Sequence, residues 1–140
     1  MGSLRLTQLQ YRTIIGHCYD QLPDEGCGLL IGPMAGSTPT GVVTEARPCR
    51  NADASAVTYT VEPKDMLVAM RAAEAAGNEI IGVWHSHTHT VPYPSPTDVR
   101  QAVDPVWFYP IVSFREGEPT IRAYRIIDGE ISEVQVEVMT

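Results

Sequence analysis

Ile80-Ile81-Gly82-Val83-Trp84-His85-Ser86-His87, then seven residues, then Ser95-Pro96-Thr97-Asp98: this stretch decides the fold. The apolar run up to Trp84 is short and bounded by turn-type residues, so it reads as a buried strand. Side chains two apart in a strand share a face, so His85 and His87 aim both imidazoles at one point from a stiff support. Ser95 to Asp98 reads as a helix start, with Ser at the cap, Pro at the first helical position and an acid at the third. The loop between them, Thr88 to Pro94, can fold that helix start back toward the histidines. Two neutral imidazoles and one carboxylate are a ligand set for a catalytic zinc whose fourth position stays open for water. Taken alone, Ser95 to Asp98 is equally an ordinary cap, and a single His at a strand end is commonly a hydrogen-bonded surface residue. Clustering favours the metal: three of the four histidines, His85, His87 and His89, fall within five residues directly after the strand.

H-S-H, seven residues and S-x-x-D together resemble the zinc signature of the JAMM (MPN+) metallopeptidase family. The resemblance implies zinc held by His85, His87 and Asp98, and adds a glutamate upstream, beside a buried strand. The segment Pro23-Asp24-Glu25-Gly26-Cys27-Gly28-Leu29-Leu30-Ile31-Gly32 supplies one. Gly28 to Gly32 reads as a short buried strand, and Glu25 stands just before it beside glycines that permit close approach. On residue chemistry alone, an exposed loop glutamate is the commoner reading of Glu25. Small bacterial members of the family carry an E-x-C-G-L-L-type segment after their first helix, which makes Glu25 the general base. Ser95 is then implied to donate to the developing oxyanion or to hold the attacking water. Cys27 has a rival reading as a nucleophile paired with a histidine; nothing near it argues for a lowered pKa, and a buried thiol fits its strand position better. Asn51, where the family often has Asn-x-Ala, is either a positioning residue or a turn former. His89 shares the parity of His85 and His87, but only the His85/His87 register leaves the seven-residue gap to Ser95. It is read as a cleft-lining residue or a weak extra ligand.

At 140 residues the chain fits one domain, residues 1–140, with a real core and no need of staples. Met1-Gly2-Ser3 reads as an expression remnant and is set aside. A hydrophobic share of 44% with 19% charged residues describes a folded globular protein. The net charge of −7 argues against nucleic acid, which is met by a basic patch. No apolar run approaches the roughly 20 residues of a membrane span, and no leader is evident, so the expected compartment is the cytoplasm. Cys18, Cys27 and Cys49 are odd in number and widely spaced, as reduced thiols are.

Along the chain, Tyr11, Ile14, Ile15, Cys18 and Leu22 keep helical spacing between a Thr7 cap and a Pro23 stop. Pro33 to Gly41 reads as a surface turn, and a second strand runs from Val42 toward Arg47. Val57 to Val61 has strand composition. Pro63 opens a helix whose predicted stripe is Met66, Leu67, Met70 and Ala73, ended by Gly77. The helix from Pro96 extends to about Val103. Strands follow over Trp107 to Phe114, Thr120 to Ile127 and Ile131 to Val138, the last two joined by an Asp128-Gly129 hairpin. The pattern predicts an α+β (mixed α/β) domain around a central sheet. The resemblance, covering nearly the whole chain, implies the MPN/JAMM (cytidine deaminase-like) fold, a curved central sheet flanked by helices.

The same resemblance implies hydrolysis of a peptide or isopeptide bond. Eukaryotic deubiquitinating members carry insertions that grip ubiquitin, for which 140 residues leave little room. The Y-P-S-x-T-D wording at Tyr93 to Asp98 and the closing Y-R-I-x-D-G segment are most similar to the short actinobacterial type. That type acts on ubiquitin-like sulfur-carrier proteins ending in Gly-Gly, releasing cysteine or trimming a tail. The implied partner is such a carrier; a homodimer is compatible with the sequence. A JAMM isopeptidase with another ubiquitin-like substrate and a non-catalytic MPN scaffold are the alternatives. The wording His89-Thr90-Val91-Pro92 departs from other members and bears on substrate choice more than on chemistry.

Overall fold

In the computed structural model, which describes residues 2–102 and 104–140, the first element is one that the sequence reading passes over. Leu4 and Leu6 are fully buried and alternate with exposed neighbours in β1 (Leu4–Thr7). Thr7 then caps α1 (Gln8–Gln21) through a reciprocal capping box with Gln10, which satisfies two N–H groups that the helix itself cannot. Ile14 and Cys18 are the buried residues of its stripe. β2 (Cys27–Gly32) is buried along its whole length. A small hairpin, β3 (Met34–Ala35) and β4 (Thr38–Pro39), fills the expected surface turn. β5 (Glu45–Cys49), α2 (Pro63–Ala75), β6 (Glu79–His87), α3 (Pro96–Gln101), β7 (Tyr109–Ser113), β8 (Thr120–Ile127), β9 (Glu130–Val134) and β10 (Val136–Met139) follow.

Six strands form the main sheet in the order β5-β2-β6-β7-β8-β9. Its neighbours are antiparallel except β6 and β7, which run parallel, because α3 and its loops make the crossover that a parallel pair requires. β1 and β10 pair in parallel as a separate two-stranded sheet. One face of the main sheet packs Leu30, Trp84, Phe108 and Val112 with Ile14 and Cys18 of α1. The other packs Leu29, Val83 and Ile126 with Ala69 and Ala73 of α2. Layers on both faces make β6 a central strand, buried from Ile81 to His87. Val83 faces α2, so by strand alternation His85 and His87 open on that same side, where β6 ends. Close packing sets the sheet's spacing here: a Cβ on Gly28 would lie 2.1 Å from Trp84 Cζ2.

Several expected boundaries move. Val57 to Val61 is not a strand; it keeps a single bridge, Asn51 to Val61, and is otherwise held by side chains as a loop. Strand composition describes a fit to a neighbouring strand, and here the neighbouring backbone, Arg50 to Ala52, pairs only with the segment's end. The second strand starts at Glu45 rather than Val42. The expected Ile131 to Val138 strand divides at Gln135, because β9 pairs with β8 while β10 leaves the main sheet to pair with β1. The buried residues of α2 are Ala69 and Ala73, whereas Leu67 and Met70 are half exposed. α3 ends at Gln101, and the expected end at Val103 lies outside the described residues. The Asp128-Gly129 turn forms as expected, both residues at positive φ.

Candidate metal centre and cleft

Because β6 is rigid and central, the two histidine rings have little freedom. His85 Nε2 and His87 Nε2 lie 3.2 Å apart, and Asp98 Oδ2 lies 3.2 Å from the first and 3.0 Å from the second. Three donor atoms spaced in this way match one face of a tetrahedron with 2.0–2.1 Å zinc bonds, whose edge is about 3.3 Å. His85, His87 and Asp98 form the one such group of possible metal donors among the described residues. His87 Nδ1 donates to Val91 O at 2.8 Å, which leaves Nε2 with a lone pair for a metal. The His85 ring is fully buried and stacks on Tyr59, centroids 4.3 Å apart and planes 19° from parallel. Burial lowers the His85 pKa against the pull of Asp98. His87 is raised, burial being outweighed by its bonds to Asp98 and Val91.

Asp98 arrives through the helix cap. Ser95 Oγ accepts the Asp98 N–H at 3.1 Å, and the Asp98 carboxylate accepts the Ser95 N–H at 2.9 Å. The capping pattern and the donor pattern are therefore one arrangement. Burial works to raise the Asp98 pKa, but the His85 and His87 rings hold it well below the usual carboxylate range.

Glu25 is the opposite case. It is 4% exposed, and its Oε1 has no hydrogen-bond partner. Burial pushes its carboxyl up to about 8, with His87 opposing and Asp98 and Asp53 adding to the rise. Glu25, His87, Thr88, His89 and Ser95 line one cleft of about 150 Å³, whose further wall is Ala56 and Val57. A larger groove of about 430 Å³, between α2 and Trp107, lies away from these groups and contains none of the three donor residues.

His89 is exposed at the cleft mouth and stands outside the donor group. Cys27 is fully buried with its thiol pushed up to about 12 by burial, which removes the nucleophile reading. Asn51 does more than form a turn. Its amide donates to Glu25 O and Thr58 O, and its Oδ1 accepts from the Asp53 and Thr60 N–H groups. It thus ties the loop over the cleft to the backbone of Glu25. Tyr59 was not legible as a site residue, since nothing in its local wording announces contact with a ring 26 positions downstream.

The sequence profile of prokaryotic homologues of the JAB domain matches residues 8–127. The chain belongs to this family. A relative, the CysO-cysteine peptidase of Mycobacterium tuberculosis, is 36% identical over 127 residues, covering 90% of this chain and 84% of the relative. The desampylase of Haloferax volcanii is 35% identical over 117 residues, covering 83% and 79%. A crystal structure of a JAB1/MPN domain protein from Archaeoglobus fulgidus superposes with a TM-score of 0.59 at 20% identity, covering 95% of this chain and 98% of that one. The fold is therefore the JAB1/MPN fold expected from the resemblance.

Proposed function

We propose that this JAB-family chain is a zinc metallopeptidase, one domain over residues 1–140 with one Zn2+, hydrolysing the amide bond after the C-terminal Gly-Gly of a ubiquitin-like sulfur-carrier protein. The observation that carries the reading is the buried carboxyl of Glu25, its Oε1 without a hydrogen-bond partner, in one cleft with His87 and Ser95 of the donor corner. His85, His87 and Asp98 would hold the zinc. Bound there, the ion polarises a carbonyl and lowers the pKa of water from about 15.7 to about 7. Glu25 takes the proton of the attacking water on its free oxygen and passes it to the leaving amine. Ser95 Oγ accepts the Asp98 N–H, so its own hydrogen turns toward the cleft and the developing oxyanion. Asp98 would stay ionised throughout as the third donor beside the two rings.

The substrate reading is supported by relatives named for a CysO-cysteine substrate and as a desampylase. A narrow cleft suits a Gly-Gly tail, because glycine lets backbone approach closely. The desampylase likeness supports a second reading, isopeptide cleavage from another ubiquitin-like protein. We assign the cytoplasm from three free, buried cysteines; no helix among the described residues is long and apolar enough to cross a membrane.

Intact mass of a Gly-Gly sulfur carrier bearing a C-terminal cysteine or short extension tests the proposal. The extension is lost with the zinc-loaded protein and retained with a chelated sample. Unchanged mass with zinc bound would replace the carrier with an isopeptide-linked substrate; unchanged mass with no zinc bound would favour a scaffold.

A further inference from the structure

The backbone N–H and C=O of both Glu25 and Gly26 are hydrogen-bonded. On the loop side, Glu25 N–H donates to Ser55 O at 2.8 Å and Glu25 O accepts from Asn51 Nδ2 at 3.1 Å. On the sheet side, Gly26 N–H donates to Ser86 Oγ at 2.8 Å, and Ser86 N–H donates to Gly26 O at 3.0 Å. Ser86 stands between His85 and His87, and strand alternation turns its side chain to the opposite face, toward α1. It is completely buried. Gly26 is pressed against the same helix: a Cβ there would lie 3.0 Å from Cys18 Cα and 3.4 Å from its Sγ. Three consecutive residues thus present the donor pair on one face of the sheet and a two-bond clamp on the other.

We propose that Ser86 is a positioning residue that sets the distance between Glu25 and the His85–His87–Asp98 group, by gripping the Gly26 peptide from the strand that carries the histidines. The inference rests on the assignment of Glu25 as the base. Ser86 touches neither substrate nor metal; it acts through the backbone of its neighbour. Without the hydroxyl, the buried Gly26 N–H has no acceptor, so the segment shifts to find one and takes the carboxyl with it.

Ser86→Ala, Ser86→Thr and Glu25→Gln, with the Ser86→Ala/Glu25→Gln double variant, separate the possibilities. In Ser86→Ala, zinc content and KM stay at the wild-type value while kcat falls about 10- to 100-fold. Ser86→Thr, which keeps the hydroxyl, retains most of kcat. In the Glu25→Gln background the alanine substitution causes no further loss, since the two residues act as one unit. Independently of turnover, the Gly26 amide resists hydrogen exchange in metal-free wild type and in Ser86→Thr, and exchanges faster in Ser86→Ala. Equal fold losses in both backgrounds, loss of zinc from Ser86→Ala, or an unprotected Gly26 amide in wild type would overturn the proposal. If Ser86→Ala does not fold, the wild-type exchange and Ser86→Thr kinetics still decide. Full activity of Glu25→Gln alone would strike the base assignment itself, before any Ser86 variant is read.

Discussion

Two corners of the cleft each deliver one carboxyl, and they treat it in opposite ways. The cap of α3 sets the Asp98 carboxylate against two imidazoles and under the Ser95 N–H. The segment leading into β2 buries Glu25 and leaves one of its oxygens with no partner. The first carboxyl is held ionised and the second is made to prefer its proton, although both are shielded from water. Burial alone therefore does not set the state of a carboxyl; the polar groups packed around it do. The pair of opposed shifts separates a permanent charge from a proton carrier, and that division of labour is what acid–base catalysis near neutral pH requires.

Removing the Asp98 corner has the largest expected effect. Asp98→Ala takes one of three donor atoms and the acceptor of the Ser95 N–H, so zinc measured by mass spectrometry is expected to be absent and turnover to fall to background. Glu25→Gln comes next, keeping zinc at the wild-type level while kcat falls about 10²- to 10⁴-fold; wild-type turnover would take Glu25 out of the mechanism. Stability of the metal-free protein then sharpens the contrast. A carboxyl raised from 4.5 to about 8 on folding contributes stability in full below its unfolded pKa, and that contribution is lost as pH rises through about 8. Denaturant melts across this range are expected to show wild type weakening relative to Glu25→Gln as pH rises, by roughly 2 kcal/mol after allowing for solvent in the cleft. Parallel curves would mean that Glu25 is not strained in its charged form. Ser95→Ala gives the smallest effect on folding: it removes a cap worth about 1 kcal/mol, read as a few degrees in Tm, while the lost oxyanion donor lowers kcat about 10²-fold and zinc is retained, because the Ser95 N–H still holds the Asp98 carboxylate.

How much was legible follows from how local each feature is. The α1 start, the α3 start and the Asp128-Gly129 turn are decided within four residues, and each stands where its wording places it. The pairing of β6 side chains needs only the period of a strand, so His85 and His87 could be placed on one face in advance. β1 was not legible because its partner, β10, lies more than 120 positions away and nothing in four residues names it. Val57 to Val61 carried strand wording without a strand to pair with, and became the loop that sets Tyr59 against His85. The same limit applies to α2, whose exposed Leu67 and Met70 follow a helical stripe as well as its buried alanines do.

The sequence by itself determined the elements whose signals are short: strand β6, the capped helix after it, and the residue types of a zinc hydrolase. Spacing along the chain suffices there, because a strand and a helix cap each hold their side chains by local geometry. Only the tertiary structure decided that the cap carboxylate meets the two rings, that Glu25 is buried rather than exposed, and that Ser86 reaches Gly26 from behind. Each of those depends on distance and on the supply of donors across separate elements, and hydrogen-bond saturation at a point in space is not a property of any one segment.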